Sequence, residues 1–371
     1  MERKLKIIFH EWLFLVIAWA LFLNLFSWII IVNLELYFKI TEIRNLADEN
    51  FLLSYIYSGY QYLEATLFGI FFGTMFTFIN FYTDKTSIRK KSLGFIILIK
   101  SFLYFIALVI SIAIIYQLFI SLGFLPSNIN TVEYLKMFTW EFAVSMFVLI
   151  SSFTIFTNFI LQINRKLGPG TLLKIITGKY RTPTNENRIF MFLDMKGSTT
   201  IAEKLGHKKY SQFLRSCYYD LTEVVLKYKA DIYQYVGDEV VLTWEVKKGL
   251  RDLNCIKAFF SFENALNKRK DFYERNFGVI PVFKAGMDVG VVTVAEIGEI
   301  KRDIAYHGDV VNTASRIQDH CNELNQKLLI SEYLEKELPA LNGFNKKLIG
   351  EISLRGKEHI VKVYGIDYSK N

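Results

Sequence analysis

The chain has 371 residues, of which 52% are hydrophobic and 22% charged, and its formal net charge is +8. This length is enough for two domains. The basic residues form no single stripe with interleaved aromatic side chains, and many of them flank apolar runs, so the charge does not indicate nucleic-acid binding. The three cysteines have neither CxxC spacing nor histidines at zinc-ligand distances, which argues for reduced structural thiols and against a zinc site.

Four apolar stretches without Lys, Arg, Asp or Glu dominate the first part of the chain, at residues 12–32, 65–82, 101–122 and 142–162. Each is close to the roughly 20 residues that cross a hydrocarbon core about 30 Å thick. The first is too long, and too soon followed by the second, to be a cleaved signal peptide. We therefore predict an all-α domain of four transmembrane helices over residues 1–165, in contact with membrane lipid.

The charges between these stretches predict how the chain crosses the membrane. Positive charges lie before the first stretch, between the second and third, and after the fourth: Arg3, Lys4, Lys6, Lys85, Arg89, Lys90, Lys91, Arg165 and Lys166. Acidic residues dominate the two other loops: Glu35, Glu42, Asp48, Glu49, Glu133 and Glu141. The positive-inside rule therefore places both termini in the cytoplasm.

Other functions of the membrane half find little support in its polar residues. A haem site between helices would need paired histidines, and the single histidine of this half, His10, lies at a membrane edge. A transporter would need ionisable groups near the midplane, whereas Glu64 and Lys100 lie at span ends. Gly69 and Gly73 form a GxxxG pair, which allows close helix packing and suggests a dimer contact.

The second part of the chain has the composition of a soluble domain, and a linker over residues 166–187 precedes it. Gly168-Pro169-Gly170 breaks the helix there. From Arg188 onward, strands are predicted at 189–193, 232–236, 240–244, 282–289 and 291–297, with long helices up to about residue 229 and over 250–277. This βαββαβ order predicts a ferredoxin-like α+β domain over residues 188–371.

Two aspartates at strand ends suggest a site for metal and phosphate. Asp194 ends the first strand, and Asp238 lies at the tip of the hairpin. If those strands are neighbours, both carboxylates emerge at one edge of the sheet, facing the helix start at Gly197, Ser198 and Thr199. Hard oxygen ligands beside a phosphate site are typical of a Mg²⁺–triphosphate site, although either aspartate alone could be an ordinary strand-end or turn residue.

Four segments of this half resemble the motifs of class III adenylate and guanylate cyclases, in the order of that family. They are Phe192-Leu193-Asp194-Met195-Lys196-Gly197-Ser198-Thr199, Val236-Gly237-Asp238-Glu239-Val240, Gly308-Asp309-Val310-Val311-Asn312-Thr313-Ala314-Ser315-Arg316 and Leu354-Arg355-Gly356-Lys357. The resemblance covers about residues 188–367 and implies a membrane-anchored cyclase of bacterial type, with its catalytic domain on the cytoplasmic side of an inner or plasma membrane.

The resemblance assigns roles to single residues. It implies that Asp194 and Asp238, assisted by the Met195 carbonyl, hold two divalent cations, Mg²⁺ or Mn²⁺, that activate the ribose 3′-hydroxyl and neutralise the departing pyrophosphate. Asn312 and Arg316 lie four residues apart on one helix face and are expected to orient the ribose and to stabilise charge on the α-phosphoryl group.

Other substrate contacts follow from the same resemblance. Gly197, Ser198 and Thr199 form the helix start expected to bind the triphosphate, and Arg355 is expected to contact its terminal phosphates with assistance from Lys357. The family also implies a homodimer with two shared sites. In each site one chain supplies the metal aspartates, and the other chain supplies the Asn–Arg pair and the residues that read the base.

Two positions depart from the usual base-reading residues of the family. Adenylate cyclases commonly have Lys at the position of Gln234 and Asp or Thr at that of Ala305, whereas guanylate cyclases usually carry Glu at the first. A glutamine amide both donates and accepts, so Gln234 is compatible with either purine. We predict conversion of ATP to its 3′,5′-cyclic monophosphate and pyrophosphate, with GTP or another nucleoside triphosphate as the alternative substrate.

Two other functions compete with this prediction. Gly237-Asp238-Glu239 resembles the centre of the GGDEF hairpin of diguanylate cyclases, but Val236 replaces its first glycine and that family does not explain Asn312 and Arg316. A catalytically inactive cyclase-like receptor or scaffold is the second alternative. The altered base-reading pair favours it, and the presence of both aspartates, Asn312 and Arg316 argues against it. His307 is assigned no catalytic role.

Overall fold

The computed structural model describes residues 2–41, 58–85, 93–124, 140–168, 171–300, 302–353 and 360–369. The chain divides into two compact units. One unit is Leu5–Phe159, and the other is Ile160–Asn371 together with Met1–Lys4.

The first unit consists of long apolar helices. Its helices are α1 (Glu2–Thr41), α2 (Tyr60–Lys85), α3 (Leu93–Ser121) and α4 (Trp140–Leu167). The first residues of α1 and the last residues of α4 belong to the second unit. Among the described residues, three segments are long and apolar enough to cross a membrane: Ile8–Asn33, Tyr60–Thr83 and Phe102–Ser121. These segments match the first three predicted spans and indicate a membrane anchor, whereas a fourth span in α4 stays a prediction.

Small residues bring α1 and α2 into close contact. A Cβ atom added to Gly69 would lie 2.5 Å from the Ala20 Cα atom, and one added to Gly73 would lie 2.9 Å from the Val16 Cα atom. The two backbones could not approach this closely if either glycine carried a side chain. Within this unit the GxxxG pair therefore serves the packing of α1 on α2, and the dimer contact suggested from the sequence stays a hypothesis.

A polar cluster links α2 and α3 within this unit. Asn80 is buried, and its Oδ1 atom accepts hydrogen bonds from the Lys100 Nζ atom at 2.7 Å and from the Tyr104 hydroxyl at 2.9 Å. The Tyr104 ring stacks on Phe76 with a centroid separation of 4.1 Å. Lys100, predicted at a span end, therefore has a protein partner in addition to any contact with solvent or lipid headgroups.

The second unit is an α+β domain that begins after the short helix α5 (Thr171–Ile176). Its strands are β1 (Thr184–Met195), β2 (Asp231–Val236), β3 (Glu239–Glu245), β4 (Phe283–Ile297), β5 (Asp303–His307), β6 (Leu328–Ser331), β7 (Phe344–Ser353) and β8 (Ile360–Tyr368). Its helices are α6 (Ser198–Lys227), α7 (Val246–Leu250), α8 (Asn254–Lys268), α9 (Lys270–Phe277), α10 (Asp309–Asp319) and α11 (Glu332–Glu337).

The strands form one mixed sheet in the order β2-β3-β1-β4-β6-β8-β7, with β5 paired to β4. Along the chain, β1 to β4 and the helices between them follow the predicted βαββαβ order, which confirms the α+β fold class. Two element predictions were wrong. The strands predicted at 282–289 and 291–297 are one continuous strand, β4, because Gly290 pairs with Arg188 without interrupting the ladder. The helix predicted over 250–277 is also interrupted: Arg251–Leu253 form a 3₁₀ turn, and Arg269 separates α8 from α9.

Successive side chains of β1 point to opposite faces of the sheet, and these two faces pack against different helices. Ile189, Met191 and Leu193 face a large core against α6 and α8. Phe190 and Phe192 face the other side, where they pack with residues of α10. Asp194, the next residue on this second side, therefore leaves the strand on the face that α10 covers.

Candidate active site

The register of the sheet brings Asp194 next to the hairpin that carries Asp238. β1 and β3 are antiparallel neighbours, and Leu193 pairs with Val240 at the end of their ladder. Asp238 lies in the turn between β2 and β3, where Gly237 adopts a left-handed conformation with φ 61°. The predicted adjacency of the two strands is confirmed, and both aspartates lie at the same edge of the sheet.

The carboxylates at this edge repel one another. Burial raises the pKa of Asp194, and the nearby Asp238 raises it further, while Lys284 counteracts both. Lys284 pairs with Asp194 across β1 and β4, and its Nζ atom lies 3.4 Å from Asp194 Oδ2. Burial also raises the pKa of Glu239 to about 7, with contributions from Asp194, Asp319 and Asp238. Such an excess of negative charge favours binding of a cation.

The donor set fits a divalent cation that shares its ligands with a substrate. Among the described residues, no three His, Cys, Asp or Glu side chains converge on one point. Asp194 and Asp238 would supply two hard oxygen ligands to a cation, and backbone and phosphate oxygens would complete the coordination. The Met195 side chain is buried in the core, so its carbonyl oxygen is the group of this residue suited to a metal.

Helix α6 starts beside the aspartates with its first amides uncapped. Gly197 is the residue before the helix, with φ 69°, and it forms no side-chain capping hydrogen bond. Ser198 and Thr199 make up the start of the first turn. Because the first amides of a helix lack intrahelical partners, this end is suited to bind phosphate oxygens, and that role stays a prediction.

A tyrosine of α6 supports the turn that carries Asp238. The Tyr218 hydroxyl lies 3.0 Å from the Gly237 carbonyl oxygen and 3.4 Å from that of Glu239. These two carbonyls flank Asp238. The Tyr218 ring contacts Tyr235 of β2 with a centroid separation of 4.8 Å, so one side chain holds both the strand and the turn.

Asn312 and Arg316 point away from the aspartates of their own chain. Helix α10 buries Thr313, Ala314 and Gln318 against the sheet, while Asn312 is exposed. Successive helical residues are about 100° apart, so Arg316 projects roughly opposite to Gln318. Among the described residues, neither the Asn312 nor the Arg316 side chain forms a hydrogen bond or ion pair. The structure does not bring this pair to Asp194 and Asp238 of the same chain.

Two other residues predicted to contact the substrate lie on strands β2 and β5. Gln234 is exposed on β2, next to a β-bulge. Ala305 is 8% exposed on β5, where it pairs with Ala295. Arg355 and Lys357 lie outside the described residues.

Sequence reasoning missed three residues of the site, namely Tyr218, Lys284 and Gln318. Lys284 had a signal in the sequence, because it is a charged residue within the apolar run of β4. Gln318 donates from Nε2 to Asp194 Oδ2 over 3.1 Å, and it had no such signal because only the packing of α10 on the sheet brings it there.

Comparison with known proteins identifies relatives of the second unit. Residues 181–367 match the family model described as adenylate and guanylate cyclase catalytic domain. Adenylate cyclase 2 of Rhizobium meliloti (strain 1021) is 33% identical over 199 residues, which cover 54% of this chain and 55% of that protein. The adenylate cyclase of Anabaena cylindrica is 24% identical over 182 residues, covering 47% of this chain and 36% of that protein.

The fold of the second unit is also found in a solved structure. The structure of a bacterial light-regulated adenylyl cyclase superposes with a TM-score of 0.52 and 18% sequence identity, covering 60% of this chain and 65% of that chain. At this identity the likeness concerns the fold. The chain spans only 55% and 36% of the lengths of the two curated relatives that it matches.

Proposed function

Because the chain belongs to the adenylate and guanylate cyclase catalytic domain family, we propose that it is a membrane-bound class III adenylate cyclase. Its reaction is the conversion of ATP to 3′,5′-cyclic AMP and pyrophosphate. The observation that carries this proposal is the pair Asp194 and Asp238 at one sheet edge, in a chain whose α10 presents Asn312 and Arg316. The names of the relatives support adenylate cyclase activity in particular.

The chemistry divides between bound cations and the side chains of the protein. Asp194, Asp238 and the Met195 carbonyl would hold two divalent cations, which would supply Lewis-acid activation of the 3′-hydroxyl and neutralise charge on the pyrophosphate. The ribose 3′-oxygen forms a bond to the α-phosphorus, the bond from that phosphorus to the bridging oxygen of the β-phosphate breaks, and the hydroxyl proton passes to solvent.

The protein's own groups orient the nucleotide and stabilise its charge. Asn312 orients the ribose through its amide, and the Arg316 guanidinium stabilises charge that develops on the α-phosphoryl oxygens. The uncapped amides at Gly197, Ser198 and Thr199 bind phosphate oxygens. Arg355 and Lys357 are proposed to contact the terminal phosphates.

Two copies of the chain are needed for a complete site. Arg316 projects roughly opposite to Gln318, and Gln318 contacts Asp194 of its own chain. The Asn312–Arg316 pair of one chain therefore serves the aspartates of a second chain, and a homodimer forms two equivalent sites. This arrangement makes a single chain inactive by itself.

The membrane part positions this dimer at the inner face of a bacterial membrane. The three apolar helical segments support anchoring in lipid, and the proposed fourth span in α4 places both termini on the cytoplasmic side. The nucleotide substrate is available in that compartment. Nucleic acid is not a proposed partner.

GTP or another nucleoside triphosphate is the second candidate substrate. Gln234 replaces the lysine of adenylate cyclases, and the buried Ala305 offers no polar side-chain atom to a base. If these changes abolish turnover altogether, the domain acts as an inactive receptor or scaffold. The nucleotide base that the domain accepts therefore has to be measured directly.

Incubation with each nucleotide tests the function directly. The purified homodimer is incubated with Mn²⁺ or Mg²⁺ and separately with ATP, GTP, CTP and UTP, and the products are identified by mass spectrometry. We expect cyclic AMP and pyrophosphate from ATP, and no product from Asp194→Ala. Absence of every cyclic nucleotide from the wild-type protein would favour the inactive receptor.

A further inference from the structure

The side chain of Gln318 reaches from α10 into the carboxylate pair of its own chain. Its Nε2 atom donates to Asp194 Oδ2 over 3.1 Å, and the residue is 3% exposed. The Lys284 Nζ atom lies 3.4 Å from the same oxygen. Among the described residues, both contacts fall on Oδ2, so Asp194 is held from one side and its Oδ1 atom can face a cation.

The fold creates this contact by an unusually close approach of helix and strand. A Cβ atom added to Gly286 of β4 would lie 2.2 Å from the Gln318 nitrogen and 2.5 Å from the Ala314 carbonyl oxygen. Any side chain at residue 286 would therefore push α10 away from the sheet. Gly286 and Lys284 lie on the same face of β4, so the strand supplies both the close approach and the second partner of Asp194.

A purely apolar residue would satisfy the packing at position 318 without an amide. Burying an amide is unfavourable unless it is hydrogen-bonded, and the acceptor used here is a carboxylate that the site already places beside Asp238. A hydrogen bond to a charged group is also stronger than one between neutral groups. The hydrogen bond to Asp194 therefore explains why a glutamine occupies this buried position, which packing alone does not.

We propose that Gln318 is a positioning residue that fixes the orientation of Asp194 for cation binding. The proposal rests on the proposed function, in which Asp194 is a metal ligand. Groups that hydrogen-bond to metal ligands typically contribute 10- to 100-fold to metal affinity or activity. In this role Gln318 acts through the Asp194 carboxylate, to which its Nε2 atom donates.

Titration with Mn²⁺ alone tests this role without relying on turnover. Full-length wild-type protein and Gln318→Met, each freed of metal with a chelator, are titrated with Mn²⁺, and free Mn²⁺ is measured by electron paramagnetic resonance. Methionine keeps the unbranched shape and removes the amide. We expect the dissociation constant of the protein for Mn²⁺ to rise about tenfold in Gln318→Met. The neighbouring variant Ile317→Val, which disturbs α10 packing without touching Asp194, should leave it within about twofold.

Kinetics separate positioning from general damage. In Gln318→Met, the Mn²⁺ concentration for half-maximal cyclase activity should rise about tenfold, while the rate at saturating Mn²⁺ stays within about threefold. If Gln318→Met does not fold, Gln318→Asn, which retains an amide but is too short to reach Asp194, should show the same weakening.

The outcomes distinguish this proposal from the proposed function. Unchanged Mn²⁺ affinity in a folded variant, or a wild-type protein that binds no Mn²⁺, overturns the role of Gln318. Weakened Mn²⁺ binding in Gln318→Met together with no cyclic nucleotide from the wild-type protein supports the positioning role and removes the cyclase function.

Discussion

At the scale of single residues, the site is defined by negative charge that its own side chains do not balance. Lys284 is near Asp194, yet burial and Asp238 still raise the pKa of that aspartate, and Glu239 has a pKa of about 7. The unliganded protein therefore stores electrostatic repulsion at the sheet edge. A bound cation relieves this repulsion, which couples metal affinity to stability.

The raised pKa of Glu239 predicts a pH-dependent effect of its replacement. The folded protein binds this proton more tightly than the unfolded chain, whose carboxyl titrates near the ordinary value of 4.5. Stability is therefore lost as pH rises from about 4.5 to about 7, and the cost persists above that range. Because Glu239 is partly exposed, solvent screening reduces the cost to about 1 kcal/mol.

Thermal unfolding of Glu239→Gln in chelator measures this cost. We expect a stability increase of about 1 kcal/mol at pH 8, which raises Tm by about 2–4 °C, and little change at pH 5. The same shift at both pH values would indicate a packing effect and contradict the assignment.

The residues of the site could be predicted from sequence to different degrees. Asp194, Asp238, Asn312 and Arg316 lie in contiguous segments that resemble one family, and the structure places them at the expected strand ends and on one helix. Lys284 and Gln318 reach Asp194 only through the register of β1 with β4 and the close seat of α10 on Gly286. The sequence marks Lys284 as a charge within an apolar strand, but it does not show that Lys284 or Gln318 contacts Asp194.

At the scale of elements, the positions of the two aspartates depend on different supports. Asp194 is fixed by the strands on both sides of β1, because β3 and β4 pair with it. Asp238 lies in a turn, and the Tyr218 hydroxyl is within hydrogen-bond distance of both carbonyls that flank it. A turn at the edge of a sheet is more mobile than a strand paired on both sides. Loss of the Tyr218 hydroxyl should therefore have a measurable effect on the position of Asp238.

The variant Tyr218→Phe tests this support, since it removes the hydroxyl and keeps the ring contact with Tyr235. We expect a stability loss of about 1 kcal/mol and a rise of about fivefold in the Mn²⁺ concentration for half-maximal activity. Tyr219→Phe is the matched control, because Tyr219 is the next residue and is 60% exposed. Equal behaviour of the two variants would mean that the hydroxyl of Tyr218 does not position Asp238.

Periodicity located the elements of the domain better than it located their ends. Short apolar runs predicted β1, β2 and β3, and the order of strands and helices along the chain predicted the βαββαβ pattern. It could not predict that β4 runs through Gly290, because a glycine within a strand resembles a break in the sequence. The contact of the GxxxG pair with α1 depends on helix packing, which a motif alone does not specify.

At the scale of the whole molecule, helices long and apolar enough to cross a membrane and a cyclase domain form one chain. The predicted resemblance to class III cyclases is confirmed by the family match over residues 181–367. The three apolar helical segments were evident from hydrophobic length. The fourth span, the orientation of the chain and the linker boundaries stay predictions.

The geometry of α10 favours an active site that two copies of the chain share. The helix is held to the Asp194 of its own chain through Gln318, while Asn312 and Arg316 lie elsewhere on its surface. Two damaged chains can then complement each other. In a heterodimer of Asp194→Ala and Asn312→Ala chains, one site contains both defects and the other site contains neither.

Co-expression of these two variants tests the claim most directly. Each variant alone should have about a hundredfold lower cyclase activity or less. Random pairing makes half of the dimers heterodimers with one intact site each, so the mixture should regain about a quarter of wild-type activity. If two-tag purification shows folded heterodimers but their activity does not exceed that of the single variants, the shared-site account is contradicted.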